Sequence, residues 1–256
     1  MKAVILAGGK GTRLSEETML KPKPMVEIGG MPILWHIMKI YAGHGITEFI
    51  VCLGHRGYQI KEWFVNQRLH LADITVDLRS GDIQIHRQLS EPWKVTLVET
   101  GESALTATRL KRVMPYLDGS DFCMTYGDGV GSVDIGALLD FHRASGKQAT
   151  VTVVQPPGRF GSVDLDGDDV RGFVEKPVGD GGWINAGFFV LKPAALAHIP
   201  DEDCMWEGPP VQSLASAGEL AAYRHSGFWL PMDTLRDKER LEELWATGSA
   251  PWKNWT

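Results

Sequence analysis

Along the first half of the chain, short apolar runs rich in β-branched residues alternate with longer segments of helical spacing: Ala3 to Leu6, Ile33 to Tyr41, Phe49 to Leu53 and Ile60 to Val65. Brief apolar runs bounded by turn residues suit buried strands, whereas apolar positions three and four residues apart suit a helix. The alternation predicts strand and helix in turn, the rhythm of a parallel sheet covered by helices. Pro32 is placed to open the helix over Ile33 to Tyr41, and Gly43 and Gly45 are placed to end it. Further strands are predicted over Val95 to Val98, Asp121 to Tyr126 and Ala149 to Val154.

Asp82 to Leu89 reads Asp-Ile-Gln-Ile-His-Arg-Gln-Leu, a strict alternation that predicts a half-exposed strand in an accessory β-ribbon. Beyond Pro156 the runs shorten and are separated by Gly and Asp turns, as in Gly161 to Leu165, Val170 to Glu175 and Asn185 to Leu191. That pattern predicts an antiparallel or mixed region. No repeat, low-complexity tract or linker interrupts the chain, so residues 1–256 are expected to form a single domain. The helix over Ile33 to Tyr41 is apolar around nearly its whole circumference and must be covered on more than one side. Ile83 and Ile85 of the ribbon, and Trp245, Trp252 and Trp255 near the carboxyl end, add apolar area that needs burial. Together these features predict a homo-oligomer with the ribbon against a neighbouring subunit.

Charge narrows the choice of partners. The 256 residues carry 26 Lys plus Arg against 32 Asp plus Glu, a formal charge of −6. Neither this balance nor any cationic run supports binding to a nucleic-acid backbone. Cys52, Cys123 and Cys204 are odd in number and lack the C-x-x-C spacing of a disulfide framework or zinc site. No stretch approaches the roughly 18 consecutive apolar residues of a membrane helix. The amino-terminal apolar run is short and leads into Gly-Lys-Gly-Thr-Arg, which fits a first strand better than a signal peptide. A cytoplasmic location without membrane attachment is expected.

Four stretches carry candidate chemistry. Leu6-Ala7-Gly8-Gly9-Lys10-Gly11-Thr12-Arg13-Leu14 is a glycine-rich loop directly after the first strand. Its backbone N–H groups can cradle an anion, with Lys10, Thr12 and Arg13 adding donors, so polyphosphate is the natural ligand. The spacing fits neither a Walker loop nor the dinucleotide fingerprint. In Lys21-Pro22-Lys23-Pro24 two prolines are expected to hold the backbone extended and aim the lysines. Asp128 and Asp233 each end an apolar run, where ligands of open sheets bind, and two carboxylates meeting there suit magnesium. Glu175-Lys176-Pro177, followed by Asn185-Ala186-Gly187, can bind sugar hydroxyls and a phosphate. Each stretch alone is also ordinary turn or surface chemistry. The histidines show no metal spacing, and no nucleophile elbow is present.

Taken in order, LAGGKGTRL, Pro22-Lys23, Tyr-Gly-Asp128, Glu175-Lys176-Pro and Asp233 resemble the sugar nucleotidyltransferases over essentially the whole chain. The resemblance implies a Rossmann-like α/β fold with a mixed, mainly parallel sheet. It also implies a nucleotide-binding half over about 1–130 and a sugar-phosphate-binding half over about 131–256. The implied reaction is attack by a sugar 1-phosphate on the α-phosphorus of a nucleoside triphosphate, with Mg²⁺ as cofactor. Arg13 and Lys23 would act in catalysis. Leu6 to Gly11 would hold the nucleotide, Thr12 and Arg13 the β,γ-phosphates, Lys23 the α-phosphate, and Asp128 and Asp233 the metal. Lys176 would take the sugar phosphate, with Glu175, Asn185 and Gly187 near the hexose. Closer similarity within the family, in segments such as EPWKVTLVETG and GFWLPMDTLRDK, implies CTP and glucose 1-phosphate as substrates; transfer of a uridylyl or thymidylyl group is the alternative, and a non-catalytic binding module another. Base reading would fall to Gly101 to Arg109, through residues such as Ala104 and Arg109. There the family usually has two glycines before the arginine, and this chain has Ala107 and Thr108.

Overall fold

Seven strands form the central sheet of the computed structural model, which describes residues 1–87, 91–155, 162–174 and 182–255. In chain order they are β1 (Lys2–Leu6), β2 (Glu48–Leu53), β3 (Lys94–Glu99), β4 (Phe122–Tyr126), β5 (Ala149–Val154), β6 (Ile184–Leu191) and β7 (Leu220–Arg224). Their order in space is β7-β5-β6-β4-β1-β2-β3. β1 runs parallel to both β2 and β4, β2 to β3, and β5 to β7. Only β6 is reversed, lying antiparallel to β4 and β5. The mixed character read from the second half of the sequence is therefore one reversed strand in a mainly parallel sheet.

The longer helices are α1 (Ile33–Ala42), α2 (Gly57–Val65), α3 (Thr106–Val113), α4 (Ile135–Ser145), α5 (Pro209–Ser216) and α6 (Leu235–Ala246). Successive side chains of a strand point to opposite faces, and β1 shows the consequence. Ala3 and Ile5 share a core with Ile37 of α1, Ile60 of α2, Leu138 of α4 and Leu241 of α6. Val4 and Leu6 share the opposite core with Leu110 of α3, Leu214 of α5 and Trp206. A strand buried on both faces needs apolar residues at nearly every position, which is why Ala3 to Leu6 of β1 and Phe49 to Leu53 of β2 read as unbroken apolar runs.

Helix α1 buries Ile33, Leu34, His36, Ile37, Met38, Ile40 and Tyr41. Its outer side is covered by the chain's own carboxyl end. Trp245 of α6 meets the His36 ring at 4.6 Å, Trp255 meets Trp35 at 5.7 Å, and Asn254 donates to the Ile40 carbonyl at 3.3 Å. The cover that the sequence reading assigned to a neighbouring subunit is thus intramolecular, for the helix and the tryptophan-rich tail alike. The ribbon differs. Asp73–Val76 pairs antiparallel with Ile83–Arg87 apart from the main sheet, leaving Ile83 54% and Ile85 38% exposed. Residues 88–89 of that predicted strand lie outside the described residues. A second hairpin joins Ser162–Asp166 to Asp169–Val174. No described helix is long and apolar enough to cross a membrane.

Candidate functional site

A cavity of about 490 Å³ opens at the carboxyl ends of β1 and β4, lined by Leu6 to Thr12, Lys23, Pro24, Ala104 to Thr106, Arg109, Tyr126 to Asp128, Met205 and Asp233. Its place follows from topology. The chain leaves β1 for β2 on one side and later returns to β4 on the other, and crevices form where connections diverge in this way.

The glycine-rich loop forms one wall. Ala7 N donates to Cys52 O at 3.0 Å, Gly127 N to Leu6 O at 3.0 Å and His55 N to Gly8 O at 3.2 Å, so the loop is stitched to both neighbouring strands. At Gly8 a Cβ would lie 2.1 Å from Nη1 of Arg109, and only glycine fits. Gly11 adopts φ +64°, with a Cβ position 2.8 Å from the Thr18 methyl, so the turn needs glycine on both counts. Gly9, Lys10 and Thr12 are exposed towards the cavity mouth. The backbone of Arg13 continues into a 3₁₀ turn over Thr12–Leu14, but its side chain lies outside the described residues.

Arg109 is buried beneath this loop. Nη1 donates to Leu53 O, Thr100 Oγ1 and Gly101 O, each at 2.8 Å; Nη2 donates to Gly8 O at 3.0 Å and Glu102 O at 3.3 Å. Burial lowers its pKa from the ordinary arginine value. The guanidinium expected to read a base is thus committed to the loop and to the ends of β2 and β3. Ala107 is packed in the core with Leu110. Thr108 lies beside Asp203, whose carboxyl pKa its hydroxyl helps to lower. Neither is among the residues lining the cavity, so the two departures from the family pattern fall outside its wall.

The opposite wall carries charge. The Lys-Pro-Lys-Pro stretch is extended at Pro22 (φ −64°, ψ 147°), but Lys23–Met25 closes into a 3₁₀ turn with Pro24 in it. Proline's fixed φ suits both conformations, so the expected extended backbone holds for one residue and not for the next. The turn buries Lys23 and aims Nζ at Asp128 Oδ2 (2.8 Å) and Asp233 Oδ1 (2.7 Å). Burial opposes the ammonium charge, but the two carboxylates outweigh it and raise its pKa above the usual lysine value. The aspartates meet because Gly129–Gly131 pairs antiparallel with Trp229–Pro231, and Met232 N then donates to Asp128 O at 2.8 Å.

Two carboxylates that converge on one cation supply the hard oxygen donors a divalent ion requires. Among the described residues no group of three or more His, Cys, Asp or Glu could hold a metal. An ion here would take its remaining ligands from substrate and water, as magnesium commonly does.

A smaller cavity of about 50 Å³ shares Tyr126 and Asp128 with the first and is lined further by Asn185, Gly187 and Trp229. Asn185 Nδ2 donates to the Tyr126 hydroxyl at 3.3 Å, and Asn185 Oδ1 accepts from Gly187 N at 2.7 Å. The Tyr126 hydroxyl donates to Glu207, and burial, followed by the Glu207 charge, raises its pKa. Glu175 and Lys176 lie outside the described residues. Sequence reading missed Met205 and Glu207 and did not single out Tyr126 or Thr106, the latter inside the Gly101 to Arg109 segment. Tyr126 stood in the Tyr-Gly-Asp stretch, one residue from the glycine, but Met205 and Glu207 sit in an irregular segment without periodicity.

The model of the nucleotidyl transferase family matches residues 2–229. A glucose-1-phosphate cytidylyltransferase of Salmonella typhi is 58% identical over 256 residues, covering 100% of both chains. A probable glucose-1-phosphate cytidylyltransferase of Bacillus subtilis is 43% identical, again covering 100% of both. Among solved structures, HddC from Yersinia pseudotuberculosis superposes with a TM-score of 0.70 at 24% identity, covering 95% of this chain and 99% of its own. A UDP-glucose pyrophosphorylase complexed with UDP-glucose gives 0.69 at 13% identity, covering 96% and 98%. These structural likenesses extend to the fold, and the family match and the two full-length relatives go further: the chain belongs to the nucleotidyl transferase family.

Proposed function

We propose that the chain transfers a cytidylyl group from CTP to glucose 1-phosphate. The observation that carries this reading is the convergence of Lys23, Asp128 and Asp233 opposite the glycine-rich loop, in a cavity that adjoins a second, smaller recess. CTP and glucose 1-phosphate are chosen because the relatives that match this chain end to end bear the name of that reaction. An oxygen of the sugar phosphate forms a bond to the α-phosphorus; the bond from that phosphorus to the β-phosphate oxygen breaks, and pyrophosphate leaves. Catalysis is then alignment and charge neutralisation, with little covalent chemistry for the protein.

In this reading the N–H groups of Gly8 to Gly11 hold the triphosphate, with Lys10, Thr12 and Arg13 at the departing end. Lys23 faces the α-phosphate and offsets the charge that grows there as the reaction proceeds. Asp128 and Asp233 would hold Mg²⁺, which would supply charge neutralisation to the phosphates. Lys176 takes the sugar phosphate, with Glu175, Asn185 and Gly187 near the hexose. The chain works as one domain in the cytoplasm, in keeping with its three free cysteines, of which Cys52 and Cys123 are buried with thiols pushed up to about 12. It assembles as a homo-oligomer through the exposed ribbon.

Pyrophosphate release measured with glucose 1-phosphate against CTP, UTP, dTTP, ATP and GTP tests the reading. CTP is expected to be consumed at least tenfold faster than any other triphosphate. Preference for UTP or dTTP would keep the reaction and overturn the base; no release with any pair would overturn both.

A further inference from the structure

The polar contacts between the two cavities form one chain whose directions are forced. A main-chain N–H can only donate. Gly187 N donates to Asn185 Oδ1 at 2.7 Å, which turns the other end of the carboxamide, Nδ2, towards the Tyr126 hydroxyl at 3.3 Å. The Tyr126 oxygen therefore accepts from Asn185, and its single proton goes to Glu207 Oε1. From the opposite side Trp206 N donates to Thr106 Oγ1 at 2.7 Å, leaving the threonine proton for Glu207 Oε2 at 2.9 Å. The Met205 sulfur, at 3.9 Å from Thr106 Oγ1, is the weaker acceptor. Two main-chain donors, at Gly187 and Trp206, thus set every bond between them, and both halves of the chain end on one carboxylate.

We propose that Glu207 is a positioning residue that fixes the polarity of the sugar recess. By taking the Tyr126 proton, it obliges Tyr126 to accept from Asn185, which holds the carboxamide with one N–H committed and the second left as a donor for a sugar hydroxyl. Without an acceptor at 207 the Tyr126 proton turns back on Asn185. The amide then either faces it with a second donor or rotates, presenting oxygen to the sugar and an NH₂ to the Gly187 N–H. This inference rests on the assignment of the smaller cavity to the sugar.

The test compares Glu207→Leu, Glu207→Gln and Tyr126→Phe in the full chain, with KM and kcat measured separately for glucose 1-phosphate and CTP. Glu207→Leu is expected to raise KM for glucose 1-phosphate at least tenfold, with KM for CTP within about threefold. Tyr126→Phe, which removes the phenol and keeps the ring, is expected to show the same split. Glu207→Gln is expected to recover most of the loss, because its carboxamide oxygen can face Tyr126 while its NH₂ faces the second lone pair of Thr106. Discrimination between glucose 1-phosphate and its epimer galactose 1-phosphate should narrow in the Leu and Phe variants and return in the Gln variant. Equal rises in both KM values, or a Gln variant as impaired as the Leu variant, would overturn the proposal. Should Glu207→Leu fail to fold, the split in Tyr126→Phe decides. A wild-type chain inactive with CTP and glucose 1-phosphate overturns the functional reading instead, and the same comparison is then made with the sugar phosphate and triphosphate it does turn over.

Discussion

Acidification is expected to loosen this fold through His36. The His36 ring is fully buried among Trp35, Trp245, Trp252 and Trp255. Nε2 meets the Ile28 carbonyl at 2.8 Å and must donate to it, and Nδ1 accepts from Trp252 Nε1 at 3.4 Å. The neutral tautomer therefore satisfies both nitrogens, and a proton added to Nδ1 would face an N–H. Burial drives the pKa from 6.5 down to about 4, with the Ile28 and Met31 carbonyls opposing the shift. Between those values the unfolded chain binds a proton that the folded chain does not, so stability rises with pH across the window and is lost as pH falls from about 6.5 towards 4. The full gap, at about 1.4 kcal/mol per pH unit, amounts to about 3 kcal/mol, of which about 2 kcal/mol is gone by pH 5. Urea unfolding of wild type and His36→Phe, followed by tryptophan fluorescence from pH 7.5 to 4.5, isolates the effect as the difference between the two curves. That subtraction removes the carboxylates and His142, whose pKa burial also lowers. The variant is expected to be less stable at pH 7.5 and to lose less on acidification. Parallel curves, or a His36 ring resonance that titrates near 6.5 in the folded wild type, would refute the reasoning.

Other consequences can be checked as directly. Asp128→Asn and Asp233→Asn should each lower Mg²⁺-dependent turnover at least a hundredfold while circular dichroism stays native, since each removes a charge opposite Lys23; near-wild-type turnover at limiting Mg²⁺ removes that residue from the site. Gly8→Ala should cost about 1–3 kcal/mol in urea unfolding, because its methyl group meets the buried Arg109 guanidinium. Thr234→Ala breaks the capping box that Thr234 and Asp237 form at the start of α6 and should cost about 1 kcal/mol, with Thr234→Ser recovering most of it. Light scattering should report an oligomer that dissociates on combining Ile83→Asp with Ile85→Asp; a monomeric wild type would dispose of that assembly.

The parts of this molecule that were legible in the sequence are those fixed by neighbours along the chain. β1 and β2 read as strands because burial on both faces leaves almost only apolar positions, and α1 closes near the glycines that mark its end. The glycine-rich loop was legible for the same reason, since its glycines, donors and preceding strand are consecutive. The apolar circumference of α1 was equally plain, but periodicity states that a face is covered and says nothing about which part of which chain covers it. Here the cover comes from Trp245, Trp252 and Trp255, more than two hundred residues downstream.

The charge centre shows where such reading ends and what replaces it. Lys23, Asp128 and Asp233 were each visible as candidates, but their mutual contact spans separations of 105 and 210 residues. It depends on the Gly129–Gly131 and Trp229–Pro231 ribbon bringing two chain segments into register. Arg109 makes the same point in reverse. A cation in a segment that resemblance assigns to base reading suggests a ligand contact, yet in the fold its five hydrogen bonds draw the glycine-rich loop and the ends of β2 and β3 together. Residue type announces capacity for chemistry, and the partners a side chain meets decide whether that capacity is offered to substrate or used to shape the cavity. Glu207 is the extreme case, because nothing in its local sequence marks it. Its part becomes visible only when the fixed direction of two main-chain donors is followed inward from Gly187 and Trp206 until both reach the same carboxylate.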